Sequence, residues 1–134
     1  MKANELRIGS LIYDDNILPS KVVGLLQGEK EDSFCVLVDT YVLDRFLPTG
    51  RLISVSDISP ILLTEEILLK CGFVNNEPKD WGNFTLGNIN FLKEDGNKMN
   101  GLYMNGYRVA DIIYLHQLQN LYFAITGEEL EIEL

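Results

Sequence analysis

Three turn-forming pairs, Gly87-Asn88, Asp95-Gly96 and Asn105-Gly106, follow one another closely in the second half of this chain. Each tolerates the positive φ that a two-residue hairpin needs, so each sends the backbone back on itself. Between them lie Trp81 to Leu86, Ile89 to Lys93, Met99 to Met104 and Tyr107 to Ile113. These runs have strand length and are rich in apolar and aromatic residues. The pattern predicts a four-stranded antiparallel meander.

Helices are predicted on either side of it. Thr64 is placed to cap a helix from Glu65 to Cys71, with Glu65 and Glu66 at the positive end of its dipole. Leu63 and Leu68 fit a hydrophobic staple, and Gly72 fits a left-handed stop. A second helix is expected from Tyr114 to Thr126, closed by Gly127. Its residues Leu115, Leu118, Leu121, Tyr122 and Ile125 share one face at about 100° per residue, and this stripe is expected to lie on the meander.

The first half carries a different pattern. Arg7 to Tyr13, Lys21 to Gln27, Ser33 to Asp39 and Arg51 to Val55 read as strands. They are separated by Asp14-Asp15-Asn16, by Gly28 with the charged run Glu29 to Asp32, and by Pro48-Thr49-Gly50. Asp44 to Phe46 reads as either a helical turn or a loop. Phe34, Val36 and Val38 fall on one face of the third strand and Cys35 and Leu37 on the other, which suggests cover on both sides. The expected fold is α+β. A small antiparallel SH3-like β-barrel over residues 1–62 packs closely on a helix–meander–helix unit over residues 63–134.

Composition limits the function. Of the 134 residues 46% are apolar and 23% charged, as in globular chains. Acids outnumber bases 20 to 11, for a formal charge of −9. A basic surface that tracks phosphates or anionic lipid is therefore disfavoured. No run approaches the ~18 apolar residues of a membrane span. Charges interrupt the first seven residues before a signal-peptide core can form. Cys35 and Cys71 are too few for a disulfide scaffold. The expectation is a cytoplasmic protein with reduced thiols and no membrane partner.

Candidate chemistry is sparse. His116 is the sole histidine, without a Gly-x-Ser-x-Gly signature, and Asp111 precedes it by five residues on an expected strand. Cys35, Cys71 and His116 are isolated and supply three of the four ligands a structural zinc needs. The pairs Asp14-Asp15, Glu65-Glu66 and Glu128-Glu129 lack the spacing of a calcium loop. Gly82, Gly87, Gly96, Gly101 and Gly106 read as turn glycines rather than a phosphate loop. Tyr103, Tyr107 and Arg108 offer aromatic stacking, but no basic stripe surrounds them. No catalytic, metal or cofactor site is expected, and direct nucleic-acid binding is disfavoured. The final helix stands apart, because His116, Gln119, Asn120 and Phe123 lie opposite its apolar stripe. Such a face is either covered by the N-terminal unit or offered as an interface to a protein partner.

Met1 to Gly9, Leu63 to Phe73 and Leu115 to Leu130 carry a family likeness. The string His116-Gln117-Leu118-Gln119-Asn120-Leu121-Tyr122-Phe123 is its most specific part. Together these segments resemble an uncharacterised small-protein family of Bacteroides-type gut bacteria, their phages and integrated elements. The resemblance implies a cytoplasmic, mobile-element setting and a two-part layout, and it carries no catalytic residues. The expected function is that of a non-enzymatic accessory or protein-interaction module. The alternatives are an acidic DNA mimic or nucleic-acid-associated protein, and an enzyme whose site is assembled from scattered residues.

Overall fold

The computed structural model describes residues 3–28, 33–75, 83–94 and 98–134. The expected turn at Asp95-Gly96, the charged run Glu29 to Asp32, and Trp81 and Gly82 lie outside these residues. The chain is mixed α+β, with two five-stranded antiparallel sheets and two α-helices. It divides into two compact units, neither of them one continuous stretch. The first comprises Met1–Ile61 and His116–Glu129, the second Leu62–Leu115 and Leu130–Leu134.

In the first unit, β1 (Leu11–Tyr13), β2 (Pro19–Gln27), β3 (Phe34–Val42), β4 (Arg45–Ser54) and β5 (Ser59–Pro60) form a sheet ordered β4-β3-β2-β1-β5. A short 3₁₀ turn at Ala3–Glu5 precedes β1, and another at Val55–Asp57 links β4 to β5. Among the described residues no ladder joins β4 to β5, so the sheet is open where a closed SH3-like barrel was expected. Closure needs tilted strands long enough to carry the stagger around. Here β1 has three residues and β5 two, and Pro60 has no N–H to donate.

Pro48-Thr49-Gly50 also departs from expectation. It is an irregularity inside β4 rather than a turn before it. Val38 faces Arg51 and Thr40 faces Leu47, so two steps on β3 match four on β4. Gly50 takes φ 55°, its N–H donates to Asp39 Oδ1 at 3.2 Å, and Thr49 Oγ1 donates to the Val38 carbonyl at 3.1 Å. The ambiguous segment Asp44 to Phe46 lies where β4 begins.

One sheet face carries the core. Ile12, Val22, Val36, Val38 and Ile53 are buried with Leu6 and Ile58, and Val55 packs against them. The other face is only partly covered over β2–β4: Cys35 and Leu37 are half-buried, while Leu26 and Leu52 are exposed.

The second unit begins with α1 (Glu65–Lys70). Thr64 Oγ1 accepts from Ile67 N–H at 3.2 Å, and Lys70 pairs with Glu66 at 3.1 Å. Gly72, at φ 89°, ends the helix in the left-handed region, where a side chain would be strained. Strands β6 (Val74–Asn75), β7 (Asn83–Leu86), β8 (Ile89–Glu94), β9 (Lys98–Met104) and β10 (Tyr107–Asp111) then run in the order β10-β9-β8-β7-β6. This is the expected meander with one short strand, β6, added. Phe73, Phe84, Ile89, Phe91 and Leu102 are buried, and Phe73 meets Phe91 edge-on at 5.8 Å. The acidic tail is anchored rather than fully solvated: Leu130 is buried and Glu133 N–H donates to the Lys70 carbonyl at 3.0 Å.

Helix α2 (Leu115–Thr126) ends at Gly127, whose φ is 72° and whose N–H donates to the Phe123 carbonyl. From His116 onward it belongs to the first unit, whereas periodicity grouped it with the meander. Its polar side chains explain the difference. Among the described residues no helix is long and apolar enough to cross a membrane.

Candidate functional site

The four residues singled out on α2 lie along the chain's own N-terminal segment. Gln119 is buried and acts as a backbone substitute: its Oε1 accepts from Leu11 N–H at 2.8 Å, and its Nε2 donates to the Gly9 carbonyl at 3.0 Å. Asn120 Nδ2 donates to the Glu5 carbonyl at 2.9 Å, and its Oδ1 accepts from Arg7 Nε at 2.8 Å. Arg7 also donates to the Gln119 carbonyl at 3.0 Å and grips the Glu129 carboxylate with both terminal nitrogens, at 2.5 and 2.9 Å. The same guanidinium sits 4.8 Å from the centre of the Phe123 ring, a cation–π contact. Phe123 remains 43% exposed, and His116 is fully buried with Nε2 4.0 Å from the Glu5 carboxylate. Gln119 and Asn120 therefore use their amides inside the unit, satisfying backbone groups of Glu5, Gly9 and Leu11.

The titratable groups follow from this packing. Burial holds the His116 imidazole below its usual range, partly offset by Glu5. Hydrogen bonds from Arg7 hold Glu129 below the usual carboxylate range against a smaller opposing effect of burial. Burial pushes the Cys71 thiol up to about 12, so it stays protonated and inert as a nucleophile near neutral pH. Among the described residues no three His, Cys, Asp or Glu side chains converge as metal ligands. Asp14 and Asp15 share Arg51, at 3.2 and 2.7 Å. Arg108 faces Tyr103 across β9–β10 and is paired with Asp111, while Tyr107 is exposed.

The least expected geometry lies at one end of the first sheet. Tyr13 faces Pro19, Ser20 faces Thr40 and Val42 faces Arg45, so the β1–β2 and β3–β4 loops leave the sheet at the same end. The β3–β4 loop is only Leu43-Asp44, with φ 52° and 64°. Positive φ at both central positions is the type I′ arrangement, which favours Asn-Gly because larger side chains meet the backbone there. In the β1–β2 loop, Ile17 takes φ 60°, an outlier for a β-branched residue. Yet Leu43 is 86% exposed and Ile17 77% exposed. Two aliphatic side chains thus carry backbone strain of about 1–2 kcal/mol each and return almost no burial.

The Ile17 loop is held in this shape by Asp14, whose side chain is fully buried. Asp14 Oδ1 accepts from Asn16 and Leu18 N–H, both at 2.9 Å. Its Oδ2 accepts from Ser20 Oγ at 3.3 Å and Arg51 at 3.2 Å. Two backbone bonds at 3.0 Å, Asp14 N–H to Leu18 O and Ile17 N–H to Asp14 O, close the loop. Strain persists where the surroundings over-determine it in this way. Sequence reading saw a turn at Asp14-Asp15-Asn16 and passed over the isoleucine beside it. The available signal was an aliphatic pair, Ile17-Leu18, set between turn-forming residues and Pro19.

Comparison of the chain with protein-family models, with curated proteins and with solved structures finds no match.

Proposed function

We propose that this protein is a non-enzymatic interaction module that works in the cytoplasm, in the phage or mobile-element setting its sequence resembles, and that Ile17 and Leu43 are its contact residues. One observation carries the reading: two exposed aliphatic side chains sit in left-handed backbone at the same end of one sheet. Neither the core nor the turns need them, since Asn or Gly in either place relieves strain without opening a cavity. Strained backbone clusters where function requires it, and exposed apolar side chains gathered at one place on a surface mark contact sites.

The test places a photo-crosslinking side chain at Leu43 and, as control, at exposed Leu69 on α1, in a lysate of cells that express the protein. A discrete protein adduct from position 43, absent from position 69, is the expected result. It should be competed by unlabelled wild type but not by the Leu43→Asn protein. Indistinguishable adducts from both positions, or competition by both proteins alike, overturn the reading.

A further inference from the structure

We infer that Arg51 is the positioning residue of this end of the sheet: it ties the Ile17 loop to the strand that carries the Leu43 hairpin, so that the two tips stand at a fixed separation. The inference rests on the contact role proposed for Ile17 and Leu43. In the order β4-β3-β2-β1, three strand spacings lie between β4 and β1, about 14 Å across a flat sheet. Among the described residues no backbone ladder joins these two strands, but side chains bridge them. Arg51 Nη1 donates to Asp14 Oδ2 at 3.2 Å, and Nη2 donates to Asp15 Oδ1 at 2.7 Å. One guanidinium from β4 thus holds both acids at the start of the β1–β2 loop. Asp14 in turn accepts from Asn16 and Leu18 N–H, on either side of Ile17.

The irregularity in β4 puts Arg51 where it can do this. Leu47 faces Thr40, so a regular ladder would set Thr49 opposite Val38; the extra residues set Arg51 there instead. Cross-strand partners share a face, and Val38, which also faces Val22, lies in the core. Arg51 therefore projects on the core side, toward Asp14, whose side chain is fully buried. Bulges commonly re-aim a side chain in this way, and this one is pinned by the bonds of Thr49 to Val38 and of Gly50 to Asp39. A guanidinium suits the task because its planar fork reaches two carboxylates at once, whereas an ammonium is a single point of charge. Setting the spacing of two contact residues before binding lowers the ordering cost of association.

The test measures the separation of the tips. Nitroxides are attached to cysteines placed at Ile17 and Leu43 in the full chain, with Cys35→Ala and Cys71→Ala removing the native thiols. A control pair is placed at exposed Val23 in β2 and exposed Leu52 in β4. Dipolar electron-spin spectroscopy should give one narrow distance distribution between the tips. Arg51→Gln should broaden it at least about twofold, Arg51→Lys should broaden it less, and the control distribution should stay as in the parent. The adduct from a photo-crosslinker at Leu43 should fall about fivefold in Arg51→Gln and recover in part in Arg51→Lys. A tip distribution that Arg51→Gln leaves unchanged overturns the inference, while the parent's adduct keeps the contact role standing. Broadening of both distributions also overturns it, because Arg51 then supports the whole sheet, and so does a broadened tip distribution with an undiminished adduct. No position-specific adduct from the parent overturns the contact role, and with it the site that Arg51 positions.

Discussion

The loops Leu43-Asp44 and Asn105-Gly106 each join two antiparallel strands with two residues, and all four residues have positive φ. At Asn105-Gly106 the values are 51° and 81°, in the residue pair that accepts them most readily. At Leu43-Asp44 the same path is imposed on a leucine. The first hairpin is specified from within, by residues whose own conformational preference makes the turn. The second is specified from outside, by the ladder around it. Tyr41 and Phe46 face each other across that ladder and meet edge-on at 5.0 Å, and the Lys21 ammonium lies 4.3 Å from the Phe46 ring centre. Where packing dictates the bend, the tip residue is free to be chosen for another purpose.

The contrast can be broken most severely at Asp14. Replacing it with Ala removes the acceptor of two backbone N–H groups and leaves Arg51 without its buried partner; the loss should be about 3 kcal/mol. A urea titration showing a loss under about 1 kcal/mol would mean that the Ile17 loop holds itself. Next comes Gly106→Ala. A Cβ there meets nothing within 4 Å, so the cost is purely conformational, about 1–2 kcal/mol by the same titration. Exchanging materials gives a gain of similar origin and smaller size. Leu43→Asn combined with Asp44→Gly should stabilise by about 1 kcal/mol and raise the melting temperature by roughly 4 °C. A lower melting temperature would show that Leu43 supports the fold and would remove the contrast.

Acid should separate the two units more gently. His116 and Glu129 both belong to the first unit, and both are held below their ordinary ranges. Between the folded and unfolded pKa of each group the unfolded chain binds more protons, so stability falls as pH falls. The imidazole contribution is whole above pH 6.5 and is lost below it; the Glu129 contribution is whole above 4.5 and is lost on further acidification. Hydrogen exchange at falling pH should expose β1 and α2 amides before those of β8 and β9. The reverse order would place the acid-sensitive contacts in the meander.

What could be read from residues alone follows the same division. Asn105-Gly106, Gly87-Asn88 and the Thr64 cap act through neighbours in sequence, and their elements were found close to their observed bounds. Strand β6 was missed because two residues cannot establish a period, and it exists only through Phe84 and Thr85 opposite it. Pro48-Thr49-Gly50 has the composition of a turn, yet the partner strand absorbs it as a bulge. Periodicity showed the two sides of α2 but could not tell that Gln119 and Asn120 reach Gly9, Leu11 and Glu5, more than a hundred residues away. Ile17 and Leu43 were illegible for the same reason: their φ values are imposed by pairings distant in sequence.

Because the first unit takes its last fourteen residues from His116–Glu129, synthesis order matters. Met1–Ile61 leaves the ribosome while α2 is still unmade, and the wait is on the order of several seconds. Throughout that interval Arg7 lacks Glu129, and the backbone groups of Gly9 and Leu11 lack Gln119. The nascent sheet is consequently a ready client for chaperones and proteases, and a message truncated before α2 yields a product that quality control should remove.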